Sequence, residues 1–178
     1  MTGAALALAP FPGSQVPDIG IEMRVDRPDP NALRLDLEIT GDVAAVRLPP
    51  RAQRSRADEL WRTTCFEAFI QGRGGGYVEL NLSPSGQWAA YGFDGYRTGM
   101  APLDGTQLQD SALDLHPDRL TFTATLDLDR APVPAGPWRL ALSCVIETLD
   151  GAVSYWALAH PSDKPDFHHP DSFVLELP

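Results

Sequence analysis

Between Trp61 and Arg97 the chain reads WRTTCFEAFIQGRGGGYVELNLSPSGQWAAYGFDGYR, and at every second position it carries carboxylates, an amide or rings. Cys65, Glu67 and Phe69 form one such set, Tyr77, Glu79 and Asn81 a second, and Gln87, Ala89 and Tyr91 a third. Carboxylates beside an amide accept hydrogen bonds from a hydroxyl-rich ligand, and neighbouring rings offer it flat apolar faces. The competing reading is a solvated outer sheet face with scattered aromatics. Glu67 and Glu79 also suit a glycoside hydrolase, in which paired carboxylates flank the scissile bond. Facing glutamates more often bond ligand hydroxyls or balance a cation such as Arg62 or Arg97, so binding is preferred and the hydrolase is kept as an alternative. A thiol dyad on Cys65 is disfavoured, because a regular strand lacks the helix N-terminus or cationic setting that lowers a thiol pKa.

A second concentration of chemistry is AHPSDKPDFHHPDS, from Ala159 to Ser172. Lys164, His160 and His168 would serve as donors at a ligand rim, with Trp156 as a stacking platform. A divalent metal at His160, Asp166 and His168, or at His169, is a weaker alternative, since no HxH or HExxH spacing supports it. The plainest alternative is a turn dictated by Pro and Asp that the histidines merely decorate.

These residues need strands to hold them. Three alternating runs joined by the turn signals GRGGG and SPSG read as a β-meander, with Phe66, Ala68, Ile70, Val78, Leu80, Leu82, Trp88 and Ala90 on its core face. Facing residues of an antiparallel pair point the same way, so Glu67 should meet Glu79 or Asn81, and Glu79 should fall near Tyr91. Upstream, Ile21, Met23 and Val25 alternate with polar residues and pass through PDPN to Leu33, Leu35, Leu37 and Ile39, an antiparallel hairpin. Val43 to Leu48 reads as a shorter run. Arg51 to Glu59, RAQRSRADE, is the one place where a helical turn or mobile loop looks natural, and its three arginines read as solvated rather than anion-binding. Downstream, Leu120 to Leu128, Trp138 to Leu149, Val153 to Ala159 and Phe173 to Leu177 add further strands. The expectation is an all-β antiparallel β-sandwich, jelly-roll or immunoglobulin-like, of roughly ten to twelve strands.

The 178 residues suit a single domain, and the formal charge of −10 argues against nucleic acid or an anionic membrane as partner. Neutral ligands or cations suit it better. No apolar run approaches the ~20 residues needed to span a bilayer, and the N-terminus lacks a basic leader, so the cytoplasm is the expected compartment. Cys144 shares parity with Trp138, Leu140 and Leu142 on a core face while Cys65 lies on the other side of its strand, so no disulfide is expected.

Together LWRTTCFEAFI, YVELNLSPSGQWAAYGFDGYRTGM and HPSDKPDFHHPDSFVLEL resemble the bacterial DOMON-like proteins related to family-nine carbohydrate-binding modules, over most of the chain. The resemblance implies a β-sandwich that binds a sugar or, in cytochrome relatives, a b-type haem held between Met and His. By chemistry, Trp61, Tyr91 and Trp156 would take the aromatic role and Glu67, Glu79, Asn81, Arg97 and Lys164 the polar one. Haem is the runner-up, because Met23 alternates with core residues and leaves Met100 as the other methionine beyond Met1. The expected function is therefore a non-catalytic domain binding a small polar ligand of carbohydrate type, with no cofactor. A protein-interaction module is a further alternative.

Overall fold

Where apolar and polar residues alternate the chain is extended, and in the computed structural model, which describes residues 3–178, twelve antiparallel strands result. They are β1 (Leu6–Pro10), β2 (Ile19–Asp26), β3 (Ala32–Gly41), β4 (Cys65–Gln71), β5 (Tyr77–Leu82) and β6 (Trp88–Phe93). Then come β7 (Ala101–Pro102), β8 (Gln107–His116), β9 (Arg119–Asp127), β10 (Trp138–Glu147), β11 (Val153–Ala157) and β12 (Leu175–Leu177). Among the described residues the only helical pieces are three 3-10 turns, at Val43–Ala45, Leu60–Arg62 and Pro170–Ser172.

The strands lie in the order β7-β6-β5-β4-β10-β11-β1-β2-β3-β9-β8, with β12 beside the start of β10. Two layers are joined at β1, which pairs through Leu6, Ala7 and Leu8 with β2 and through Ala9 and Pro10 with β11. Between the layers sits the main core. Ile21, Met23, Leu35, Leu37, Ile39, Phe122 and Leu126 come from one sheet and Phe66, Ala68, Ile70, Leu80, Leu82, Leu140 and Leu142 from the other. Strands β2, β3 and β9 of the first sheet show the half-buried alternation their sequences announce.

The second sheet departs from that pattern. In β4 all residues but the last are buried, and in β5 all six are. Its outer face carries a second apolar cluster, Phe69, Tyr77, Ala89, Tyr91, Phe93, Ala141 and Phe173, with Leu60, Trp61 and Phe167 packed on it. The solvated reading of that face fails because the chain on either side folds back over it. Leu60–Arg62 lies before β4, and the stretch from Leu158 to Val174 connects β11 to β12.

Two further expectations are corrected. Val43 to Leu48 is not a strand: Val43 and Val46 are one 3-10 turn apart, both turn into the core, and Val46 keeps a single bridge to Thr148. Arg51 to Glu59 is neither helical nor unattached. Following Pro49 and Pro50 it runs extended beside β6, with Ala52 donating to the Ser85 carbonyl (3.0 Å), Trp88 to Ser55 (3.1 Å) and Ala57 to Trp88 (2.9 Å). Its arginines hold the chain down, Arg51 on the Pro84 carbonyl, Arg54 on that of Gln109 and Arg56 on Asp58. Cys65 and Cys144 are both free and buried. They lie on opposite faces because Cys144 opposes Phe66 while Cys65 opposes Val145.

Burial on both faces has a measurable consequence. Phe69, on the outer face, is 0% exposed, so Phe69→Ala should destabilise by about 3–5 kcal/mol, the cost of a core phenylalanine. Urea unfolding of the variant beside Phe66→Ala measures this, and a loss under about 1 kcal/mol for Phe69→Ala alone would mean an open outer face.

Candidate ligand-binding site

Strand register assembles the outer face in rows. Ser143, Glu67, Asn81 and Ala89 form one row across β10, β4, β5 and β6, and Ala141, Phe69, Glu79 and Tyr91 form the next. Tyr155 joins through Val145, the partner of Cys65. Glu67 and Glu79 thus stand in neighbouring rows of adjacent strands. Leu60–Arg62, the loop between β6 and β7 and the stretch between β11 and β12 leave an opening above them of about 350 Å³. Its floor holds Glu67, Glu79 and Val145, and Trp61, Phe93, Tyr155 and Phe167 provide rings around it. Arg97, Met100, Pro165 and His168 complete the wall.

Arg97 is placed by a tight loop between β6 and β7. Asp94 donates to the Thr98 carbonyl (3.0 Å) and Thr98 to that of Gly95 (3.1 Å). The turn needs Gly99 at φ +68° and puts Arg97 itself at φ 53°, a conformation that costs a non-glycine residue on the order of 1 kcal/mol. Asp166 recovers this cost. Its carboxylate accepts from Arg97 Nη2 (2.7 Å) and Nε (3.2 Å), from the His168 backbone N–H (3.2 Å) and from the Tyr96 hydroxyl. Burial alone would raise the Asp166 carboxyl, but these donors outweigh it and hold it below the usual carboxylate range. The β6–β7 loop and the β11–β12 loop are latched by this one charge.

His168 is packed among Phe69 (5.1 Å between centroids), Phe93 (5.2 Å) and Tyr77 (5.8 Å). The Tyr77 hydroxyl accepts the Arg97 backbone N–H (3.2 Å) and shares a hydrogen bond with His168 Nδ1 (2.8 Å). Nε2 faces Glu79 at 3.7 Å, too far for a hydrogen bond. Burial, helped by the nearby Arg97 charge, lowers the His168 pKa to about 4, so at neutral pH the imidazole makes no ion pair with Glu79.

The two floor carboxyls behave in the opposite way to Asp166. Burial raises Glu79 to about 7, against the pull of Asn81 and Arg97. Glu67 is driven well above its ordinary value by burial and then by Glu79, with Ser143 resisting. Glu67 Oε2 accepts from the Ser143 hydroxyl (3.2 Å) and Glu79 Oε1 from Asn81 Nδ2 (3.0 Å).

Of the residues singled out in the sequence, Trp61, Glu67, Glu79, Arg97 and His168 line the opening. Asn81 and Tyr91 lie beneath it. Tyr91 donates to Asp58 (2.6 Å) and meets Trp61 edge-on at 5.9 Å, so it props the ring that lines the site. Three expectations are corrected. Trp156 is a core residue 4% exposed, opposite Cys144, and its indole N–H is spent on Ser154 (2.9 Å). His160 bonds the Ala9 carbonyl (2.8 Å) and packs on Phe11, away from the opening. Lys164 is exposed and is no part of the lining. Tyr155, Phe93 and Phe167 were missed. Tyr155 had a readable signal, because Cys144 was on the core face and its strand partner Trp156 had to follow it, turning Tyr155 outward.

His160, Asp166 and His168 bond separate partners, and no group of three or more His, Cys, Asp or Glu among the described residues is placed to hold a metal. Haem ligation does not fit either. Met23 is 1% exposed in the core, and of the other pair, Met100 and His168, the imidazole is wedged among Phe69, Phe93 and Tyr77 with Nδ1 engaged by Tyr77.

The fold has solved counterparts. A proposed carbohydrate-binding protein from Bacteroides uniformis superposes with a TM-score of 0.66 at 12% identity, over 97% of this chain and 84% of that one. A family-nine carbohydrate-binding module from Caldicellulosiruptor kristjanssonii in complex with cellotriose gives 0.53 at 11% identity, over 90% and 75%. The same kind of module from that organism with glucose gives 0.50 at 12%, over 84% and 72%. At these identities the likeness is one of fold. No protein-family model and no curated protein sequence matches the chain.

Two expectations follow from the electrostatics. Glu79 has a folded pKa of about 7 against 4.5 unfolded, so its contribution is fully present below about pH 4.5 and is lost as pH rises through about 7. Stability of the ligand-free protein should fall over that window by about 1.4 kcal/mol per pH unit for each carboxyl ionising, and Glu79→Gln should flatten the slope in urea midpoints. Asp166→Asn should cost about 1–3 kcal/mol and speed amide exchange in residues 160–172 while β4 and β10 stay protected.

Proposed function

We propose that this chain is a non-catalytic carbohydrate-binding protein whose ligand enters the opening above Glu67 and Glu79. The observation that carries the reading is the pairing of ring faces with hydrogen-bonding groups in one open site: Trp61, Phe93, Tyr155 and Phe167 surround two carboxyls, with Arg97 at the edge. Sugars present C–H faces that pack on aromatic rings and hydroxyls that bond carboxylates and guanidinium groups. The opening, about 350 Å³, lies at the small end of the ~300–1,000 Å³ usual for ligand sites, which suits one or two sugar rings. The family-nine modules that share the fold were solved with glucose and cellotriose, which supports the same ligand class here.

Binding is preferred to hydrolysis because the solved structures that share the fold are carbohydrate-binding modules, and paired carboxyls alone do not make a glycosidase. The DOMON-like relationship that the sequence suggests is part of this proposal and supplies no catalytic group.

Trp61 is half-buried at the rim, so its removal tests the site without emptying the core. Titration calorimetry with glucose, cellobiose and cellotriose should give saturable binding that Trp61→Ala weakens by about 1–3 kcal/mol, with the melting temperature little changed. Absence of binding across neutral, acidic and amino sugars would remove the reading, and turnover of aryl glycosides abolished by Glu67→Gln would replace it with the hydrolase.

A further inference from the structure

The floor of the site is rich in acceptors and poor in donors. Glu67 is 2% exposed and Glu79 4%, yet no lysine or arginine pairs with either. Arg97 spends both its Nε and Nη2 on Asp166, and His168 is neutral near pH 7. The donors that reach the carboxyls are the Ser143 hydroxyl and the Asn81 amide, one bond each. Independently, Asn81 Oδ1, in the same row as Glu67, is buried with no hydrogen-bond partner. Buried polar atoms without partners are uncommon and costly, and two carboxyls sharing an apolar site without a directly paired cation are more so.

Neutral hydroxyls would satisfy single lone pairs but would not offset ionisation of the carboxyls. A primary ammonium brings three donors and a positive charge in one group, and the rings around the floor add cation–π attraction. The negative charge of the whole protein draws cations toward the opening. We infer that the ligand carries a protonated amine that seats between Glu67 and Glu79, an amino sugar with a free amino group rather than a neutral or N-acetylated one. This rests on the carbohydrate reading of the same opening and names the class of sugar.

Seating an ammonium there ionises carboxyls that are otherwise held protonated, so binding releases protons from the protein. The other ionisable groups around them are His168, Arg97 and Asp166 on the cover and Cys65, Tyr77 and Tyr91 on the sheet. Burial raises Cys65 and Tyr77, and it raises Tyr91 with help from its bond to Asp58, so none of the three charges near neutral pH.

The test is titration calorimetry of the intact protein near neutral pH with glucosamine, N-acetylglucosamine, glucose and putrescine, repeated in two buffers of different ionisation enthalpy. The expected result is at least about tenfold tighter binding of glucosamine than of glucose or N-acetylglucosamine, with buffer-dependent heat showing proton release. Glu79→Gln and Glu67→Gln should each bring that preference down toward equality, and the wild-type comparison stands by itself if a variant fails to fold. Glucose or N-acetylglucosamine binding as tightly as glucosamine would overturn the amine seat while leaving the sugar reading in place. Putrescine bound with the same glutamate dependence, and no sugar bound, would keep the amine seat and remove the sugar reading. Silence from all four would overturn both.

Discussion

Two carboxyls sit on one face of a sheet that is covered from both sides, and their desolvation is the constraint around which the rest is arranged. A sheet face bearing Glu67, Glu79 and Asn81 would ordinarily be left to solvent. Here the flanking rows are aromatic, so Phe69, Tyr77 and Phe93 require a cover, and the cover shuts the carboxyls in with them. A complete lid over unpaired acceptors would be prohibitive. The opening beside Trp61 is the compromise between an apolar surface that must be buried and polar groups that must keep access.

Charge is distributed accordingly. Asp166, equally buried, is saturated with donors and stays ionised, whereas Glu67 and Glu79 each receive a single hydrogen bond and are pushed toward the neutral acid. The one guanidinium near enough to serve either side is committed to the cover. Arg97 therefore acts structurally, holding two loops together, and the floor is left for something from outside.

Much of this was legible in the chain. The period-2 patterns of β2, β3 and β9 and the turns at PDPN and SPSG gave the hairpins, and parity gave both faces of the meander; it put Glu79 near Tyr91 and left Glu67 opposite Glu79 or Asn81, of which the register takes Asn81. What parity could not give is whether an outward face meets water or another segment, since that depends on where Leu60–Arg62 and the β11–β12 loop travel. Trp156, chosen for its ring, is core while Tyr155 beside it belongs to the site, a difference that the pairing of Trp156 with Cys144 carried. His160 and His168 looked equivalent because loop residues have no period to sort them. Only long-range packing separates one on Phe11 from one on Phe69.

The division of β1 between the two sheets reaches beyond architecture into the order of folding. Ala9 and Pro10 find their partners, Ala157 and Trp156, across nearly the full length of the chain. Contacts so distant in sequence carry a large loop-closure cost and are made late, which places this protein among the slow, β-rich folders. During synthesis the hairpin of β2 and β3 can form early, but the seam that joins the layers must wait for β11 to leave the ribosome. Until then the Ala9–Pro10 edge of β1 has no partner strand and is open to pairing with other chains.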